Sequence, residues 1–247
     1  MAGHSKWANI KHRKGAQDKK RGKIFTRIIK EITIAAREGG GDPDSNPALR
    51  LAISNAKGAN MPKDNIERAI KKATGADADN YTETTYEGYA PNGIAVFVEA
   101  TTDNLNRTVA AVRSVFTKRG GSLGTNGSLS FLFDRKGVFT IPQGALDEDE
   151  FTLEMIDGGA EDVVLEDGFF TVYTAFEDFA IMHKKLEELE VGPESSELQR
   201  IPHDRVSLPL EQAKAVMKLI DAMEEDDDVS AVYHNLEMTE ELVNSED

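Results

Sequence analysis

The chain has 247 residues, 39% of them hydrophobic and 30% charged, with no cysteine and a formal net charge of −15. This is a globular composition that excludes a disulfide framework and a thiolate metal site and points to a reducing, cytoplasmic setting. No stretch approaches the roughly 20 apolar residues of a membrane span, and the basic start is not followed by the apolar run of a secretory signal.

The charge is unevenly spread. Residues 1–75 hold 17 Lys and Arg against 7 Asp and Glu, whereas the rest of the chain holds 12 against 37. The first 30 residues alone carry 10 basic side chains and one acidic, with His4, Trp7 and His12 among them. A charge run of this kind is often just a solvated arm. On an otherwise acidic protein it also has a use: clustered Lys and Arg gain free energy on a phosphate backbone by counterion release, while the acidic remainder is repelled from it. The candidate nucleic-acid-binding residues are therefore Lys6, Trp7, Lys11, His12, Arg13, Lys14, Lys19, Lys20, Arg21, Lys23, Arg27 and Lys30.

Order begins within this segment. From about Ala16 to Glu38, Ile24, Phe25, Ile28, Ile29, Ile32, Ala35 and Ala36 recur at helical spacing, and Gly39 to Gly41 end the pattern. Lys20, Lys23, Arg27 and Lys30 step by three or four, which predicts a basic stripe on the face opposite the isoleucines. Asn46 before Pro47 reads as an N-cap opening a second helix, and a third starts near Pro62 and runs to Gly75. Only residues 58–61 separate these two. They form either a plain helical hairpin packed on the first helix or a helix-turn-helix offering Lys63, Asn65, Arg68, Lys71 and Lys72 to a groove.

After Ala76 the period becomes alternating. Ile94, Val96 and Val98 predict a strand, Val109, Val112 and Phe116 a helix, and "SLSFLF" at 128–133 a second strand, together a βαβ unit. A strand at Val138 to Ile141, a helix from about Asp147 to Ile156, a hairpin turning at Asp167-Gly168, a helix with Phe179, Met182 and Leu186, and the strand "SSELQRI" give the order βαββαβ, a ferredoxin-like pattern. The last helix, with Ala213, Met217, Ile220 and Met223, and the strand "VSAVYH" are too small to fold alone and complete the earlier sheet. The expected fold class is α+β multidomain, an N-terminal three-helix domain plus two α/β ferredoxin-like modules, one inserted in the other. The boundaries fall at 1–79, at 80–134 with 206–247, and at 135–205.

The segments "AGHSKWANIKHRK", "NMPKDNIERAIKK", "YEGYAPNG", "TDNLNRT" and "GGSLGTNGS" together resemble the YebC/PmpR family, which includes the mitochondrial translational activator of cytochrome c oxidase. The resemblance covers nearly the whole chain. It implies a helical first domain with two α/β domains, one interrupted by the other, and a regulator that binds DNA or works in translation on the ribosome. The family's opening pattern begins at Gly3, which leaves no room for a transit peptide and leads to the expectation of a bacterial cytoplasmic protein.

Enzyme readings find little support in the residues. The five histidines lack metal-ligand spacing, no Gly-x-Ser-x-Gly elbow occurs, and "GGSLGTNG" lacks the Lys-Ser/Thr ending of a phosphate loop and the dinucleotide glycine spacing. "DPDSN" at 42–46 starts like a calcium loop, but Pro47 and Ile53 occupy the required glycine and glutamate positions. Asp226, Asp227 and Asp228 read as a solvated turn, with a cation site as the alternative. Tyr86 and Tyr89 either stack on bases or pack a hinge between domains. The expectation is a non-enzymatic nucleic-acid-binding regulator of gene expression, either a DNA-binding transcriptional regulator or a ribosome- or RNA-associated translation factor. Its partners are DNA or ribosomal or transfer RNA, with no cofactor, metal or membrane.

Overall fold

The structure, a computed structural model, describes residues 17–75 and 78–245, with side chains from residue 21 onward. The chain divides into two compact units: residues 1–79 with 135–199, and residues 80–134 with 200–247.

The first unit opens with helices α1 (Gln17–Gly39), α2 (Pro47–Gly58) and α3 (Lys63–Ala73). Ile28, Ile32, Ala35 and Ala36 of α1 are buried against Leu49, Ala52 and Ala56 of α2 and Ile66, Ala69 and Ala73 of α3. One buried amide organises two helix ends. Asn46 accepts from Leu49 N at 3.1 Å to cap α2, and its Nδ2 donates to Ala35 O and Gly40 O at 2.7 and 2.8 Å, satisfying carbonyls at the end of α1.

The second unit begins with β1 (Thr82–Tyr89), β2 (Ala95–Thr102), α4 (Leu105–Lys118) and a two-residue β3 (Ser122–Leu123). The chain then runs through β4 (Phe133–Pro142), α5 (Glu148–Asp157), β5 (Ala160–Glu166), β6 (Phe169–Ala175), α6 (Phe179–Glu188) and β7 (Ser195–Pro202). It closes with α7 (Leu210–Glu224), β8 (Val229–His234) and α8 (Glu240–Asn244).

The sheet order β5-β6-β4-β7, with β4 to β6 and β5 to β6 antiparallel, is that of a βαββαβ module. Asp167 and Gly168, at φ +54° and +82°, make the tight turn between β5 and β6, the pair of left-handed residues that a two-residue hairpin requires. Phe139, Ile141, Phe170 and Val172 face Phe151 and Met155 of α5 and Phe179, Met182 and Leu186 of α6.

The three-helix array docks on this module. The Asn55 side chain donates to Ser196 O and accepts from Ser196 N, both at 2.9 Å and both buried, so an amide from α2 pairs with β7 as a neighbouring strand would. Gly58 allows the approach, since a Cβ there would lie 2.0 Å from Glu194 O, and Leu51 joins the core under the sheet.

The other sheet has order β3-β1-β2-β8, and β2 and β8 pair from Val96↔His234 to Ala100↔Val229. Two expectations fail here. "SLSFLF" is not a strand: Ser130–Leu132 is a 3-10 turn in which Leu129 is buried and Phe131 is 67% exposed, and β4 starts only at Phe133. Conversely β1, "TETTYEGY", is a full strand without apolar alternation, recruited by eight paired positions along β2. The central pair is thus a hairpin, so this four-stranded antiparallel sheet has a different chain order from the inserted one.

Candidate nucleic-acid interface

Of the twelve sequence-derived candidates, Lys6, Trp7, Lys11, His12, Arg13 and Lys14 lie outside the described residues, and Lys19 and Lys20 sit on the first turn of α1. The rest of the α1 stripe divides in two. Arg21 is exposed, with its guanidinium 5.4 Å from the Phe25 ring and Nη2 3.5 Å from Asn60 O. That places it beside the turn between α2 and α3. Lys23 is half-buried.

Further along, the expected solvent-facing stripe is corrected. Arg27 is ion-paired to Glu197 of β7, and its Nε lies 3.4 Å from Glu31. Lys30, one turn on, is only 8% exposed. The reason is packing: α2 and α3 cover one side of α1, and the inserted module covers the side that carries Arg27. Sequence spacing correctly put these cations opposite the isoleucines, but could not show that a second partner occupies that face.

Sequence reasoning passed over Lys57, on the last turn of α2. It and Lys71, on α3, are exposed and have no ion-pair partner among the described residues. Lys57 sits at the same turn that Arg21 reaches, and the turn is held tightly by Met61 N to Ala56 O at 2.8 Å with Asn60 at φ +55°. By contrast the residues suited to reading bases are engaged with each other. Arg68 donates to Asn65 Oδ1 at 3.1 Å and to Asp64 O at 3.3 Å, and Lys63 lies 3.3 Å from Glu67. The helices form a hairpin on α1; Arg21 and Lys57 lie where α1 and the α2–α3 turn meet, and Lys71 lies on the last turn of α3.

The acidic triplet is also corrected at one position. Asp228 is 7% exposed and accepts from Arg107 Nε and Nη2 and from Thr108 Oγ1 at 2.7–3.0 Å. Asn104 caps α4 by accepting from Arg107 N, and Thr102 Oγ1 accepts from Asn104 N. The "TDNLNRT" segment is therefore a receptor for a buried carboxylate more than 100 residues away in sequence, which makes it structural. The Arg107 guanidinium is held still more firmly protonated by Asp228, then by Asp103.

Fold and surface together define a multidomain α+β protein whose cation excess is concentrated in a small N-terminal helical module. Residues 5–76 match the TACO1/YebC protein N-terminal domain, and residues 81–236 match the TACO1/YebC second and third domain. The chain belongs to the TACO1/YebC family. It is 55% identical over 239 residues to a "Probable transcriptional regulatory protein" of Amoebophilus asiaticus, covering 96% of this chain and 98% of that one. A protein of the same name from Syntrophotalea carbinolica is 54% identical over 98% of this chain and 97% of the relative. Among solved structures, a conserved hypothetical protein from Aquifex aeolicus superposes with a TM-score of 0.85 at 46% identity, covering 95% of this chain and 97% of that one.

Proposed function

We propose that this protein is a non-catalytic, cytoplasmic, DNA-binding transcriptional regulator that engages phosphate backbones with its basic arm and the accessible cations Arg21, Lys57 and Lys71. The observation that carries this reading is the charge distribution. Residues 1–79 hold 17 Lys and Arg against 9 Asp and Glu, while residues 135–199 hold 4 against 17. Residues 1–79 are the one large segment with a cation excess to offer a polyanion, and the regulatory names of the relatives agree with it.

A second reading, association with ribosomal or transfer RNA in translation, is favoured by the mutual engagement of Asn65 and Arg68. A surface that binds through phosphates without presenting free base-reading side chains suits structured RNA as well as duplex DNA. Competition of duplex DNA against ribosomal RNA for the full chain separates the two, and variants separate phosphate binding from base reading. Replacing Lys11, Arg13, Lys20 and Lys23 with Ala lowers affinity for specific and scrambled duplexes and for ribosomal RNA alike. Loss of sequence preference in an Asn65→Ala, Arg68→Ala double variant with non-specific affinity intact would show instead that α3 reads bases, a contact worth about 1–3 kcal/mol of discrimination.

A further inference from the structure

A cleft of about 270 Å³ opens in the second unit between β1 and α4, lined by Thr84, Thr85, Tyr86, Val109, Arg113 and Asn126 among others. Its electrostatics differ from those of the chain as a whole. Residues 80–134, which supply its lining, contain 4 Lys and Arg and 5 Asp and Glu, nearly balanced, whereas residues 200–247 of the same unit contain 4 against 13. Four of the five carboxylates are already engaged: Asp103 by Arg107, Glu99 by Arg200, Asp134 by His203, and Glu87 by the N–H groups of Gly127 and Leu129. Glu83 is the exception. Three of the four cations, Arg113, Lys118 and Arg119, are exposed on α4 and at its end, without an ion-pair partner among the described residues. Arg113 is the one of these that lines the cleft, where the carboxylate of the other charged lining residue, Glu87, is already satisfied by backbone N–H groups.

The far wall is held by hydrogen bonds. Buried Glu87 pins the loop 124–129 with its carboxylate, and its carbonyl accepts from Gly124 N at 2.7 Å. Thr85 Oγ1 donates to Asn126 Oδ1 at 3.2 Å, which leaves the Asn126 amide N–H groups as donors. Arg113, Tyr86 and Asn126 thus line one cleft of roughly the smallest size in which ligands bind.

We infer that this cleft takes one nucleotide unit of a single-stranded nucleic acid, with Arg113 on the phosphate, the Tyr86 ring against the base and the Asn126 amide on the base edge. The inference rests on the nucleic-acid reading above but uses a different surface, one separate from the arm. It assigns a use to the glycine-rich loop and to Tyr86. It also gives the acidic two-thirds of the chain a weak contact of its own, on the order of millimolar for a single nucleotide.

The test is an NMR titration of the full isotope-labelled chain with uridine 5′-monophosphate and, separately, inorganic phosphate. Saturable shifts confined to residues 84–87, 109–113 and 124–127 are expected from the nucleotide. Arg113→Gln should weaken them about tenfold, with partial recovery in Arg113→Lys, which keeps the charge but not the fork. Arg113 is exposed and has no ion-pair partner among the described residues, so these variants leave the fold intact. No shifts, equal shifts from inorganic phosphate, or the same residues moved by an uncharged peptide and not by the nucleotide would overturn the inference. The arm variant Lys11→Ala, Arg13→Ala, Lys20→Ala, Lys23→Ala keeps the nucleotide shifts while losing affinity for duplex and ribosomal RNA. If it binds those as well as the parent does, the arm reading falls and the cleft stands.

Discussion

His183 shows how one side chain can report on the docking of the helices. It lies on α6, its Nε2 is buried without a hydrogen-bond partner among the described residues, and its Nδ1 is 3.7 Å from the half-exposed Glu187. Burial pushes its pKa below the ordinary 6.5; Glu187 pulls back more weakly, and the nearby Arg50 guanidinium of α2 adds a smaller downward push. The folded state therefore prefers the neutral ring. Stability from this group is complete above the unfolded value of 6.5 and is lost as pH falls below it, because the unfolded chain takes up the proton first. Thermal denaturation between about pH 7 and pH 5 should show a smaller drop in midpoint for His183→Gln than for the parent. An identical drop in both proteins would place the sensitivity elsewhere. At the same interface Asn55→Ala strands the N–H and C=O of Ser196, so a loss of about 2–4 kcal/mol by urea denaturation is expected.

Helices announce themselves better than strands in this chain. Asn46, Pro47 and the isoleucine period gave α1 and α2 nearly to the residue, because a cap and a 3.6 period are local signals. Asn46→Ala tests how much that cap carries. It removes the acceptor for Leu49 N and two donors at the end of α1, so the cost should exceed the usual ~1 kcal/mol of a cap, and far-UV circular dichroism should show the loss of helix at a lower temperature. β1 was missed because "TETTYEGY" has no apolar alternation, and its state is decided by pairing with β2 rather than by its own residues. "SLSFLF" reads as a strand for the opposite reason: Leu129, just before the 3-10 turn, and Phe133, the first residue of β4, are both buried, which mimics strand periodicity. The basic stripe failed beyond Arg27 because a helix wheel records which side chains share a face, not what lies against that face. Asp228 was invisible for the same reason, since its partner Arg107 lies 121 residues away.

At the scale of the molecule the charge segregation sets how binding should respond to salt. If about six basic groups meet phosphates, the log-log slope of affinity against salt concentration should be roughly −4 to −5, and salt-independent binding would contradict the electrostatic account. Raising salt should also relieve the repulsion between the polyanion and the strongly acidic segment 135–199. Removing that repulsion by neutral substitutions at Glu148, Asp149 and Glu150 of α5 should therefore raise affinity modestly at low salt and leave it unchanged at high salt.

The pairing of β2 with β8, from Val96↔His234 onward, has a bearing on how the protein is made. The two strands are separated by well over a hundred residues, and every residue of the inserted module is synthesised between them. On the ribosome the helices α1 to α3 can form from local contacts as soon as they emerge, whereas β2, buried along most of its length in the finished fold, must wait for almost the last residues of the chain. For that interval a strand of sequence "AVFVEATT" stays exposed on the side that β8 will cover. The C-terminal strand therefore acts as the completion signal of the second unit. A chain ending before Val229 should show fast amide hydrogen exchange throughout β1 and β2 while α1 to α3 stay protected.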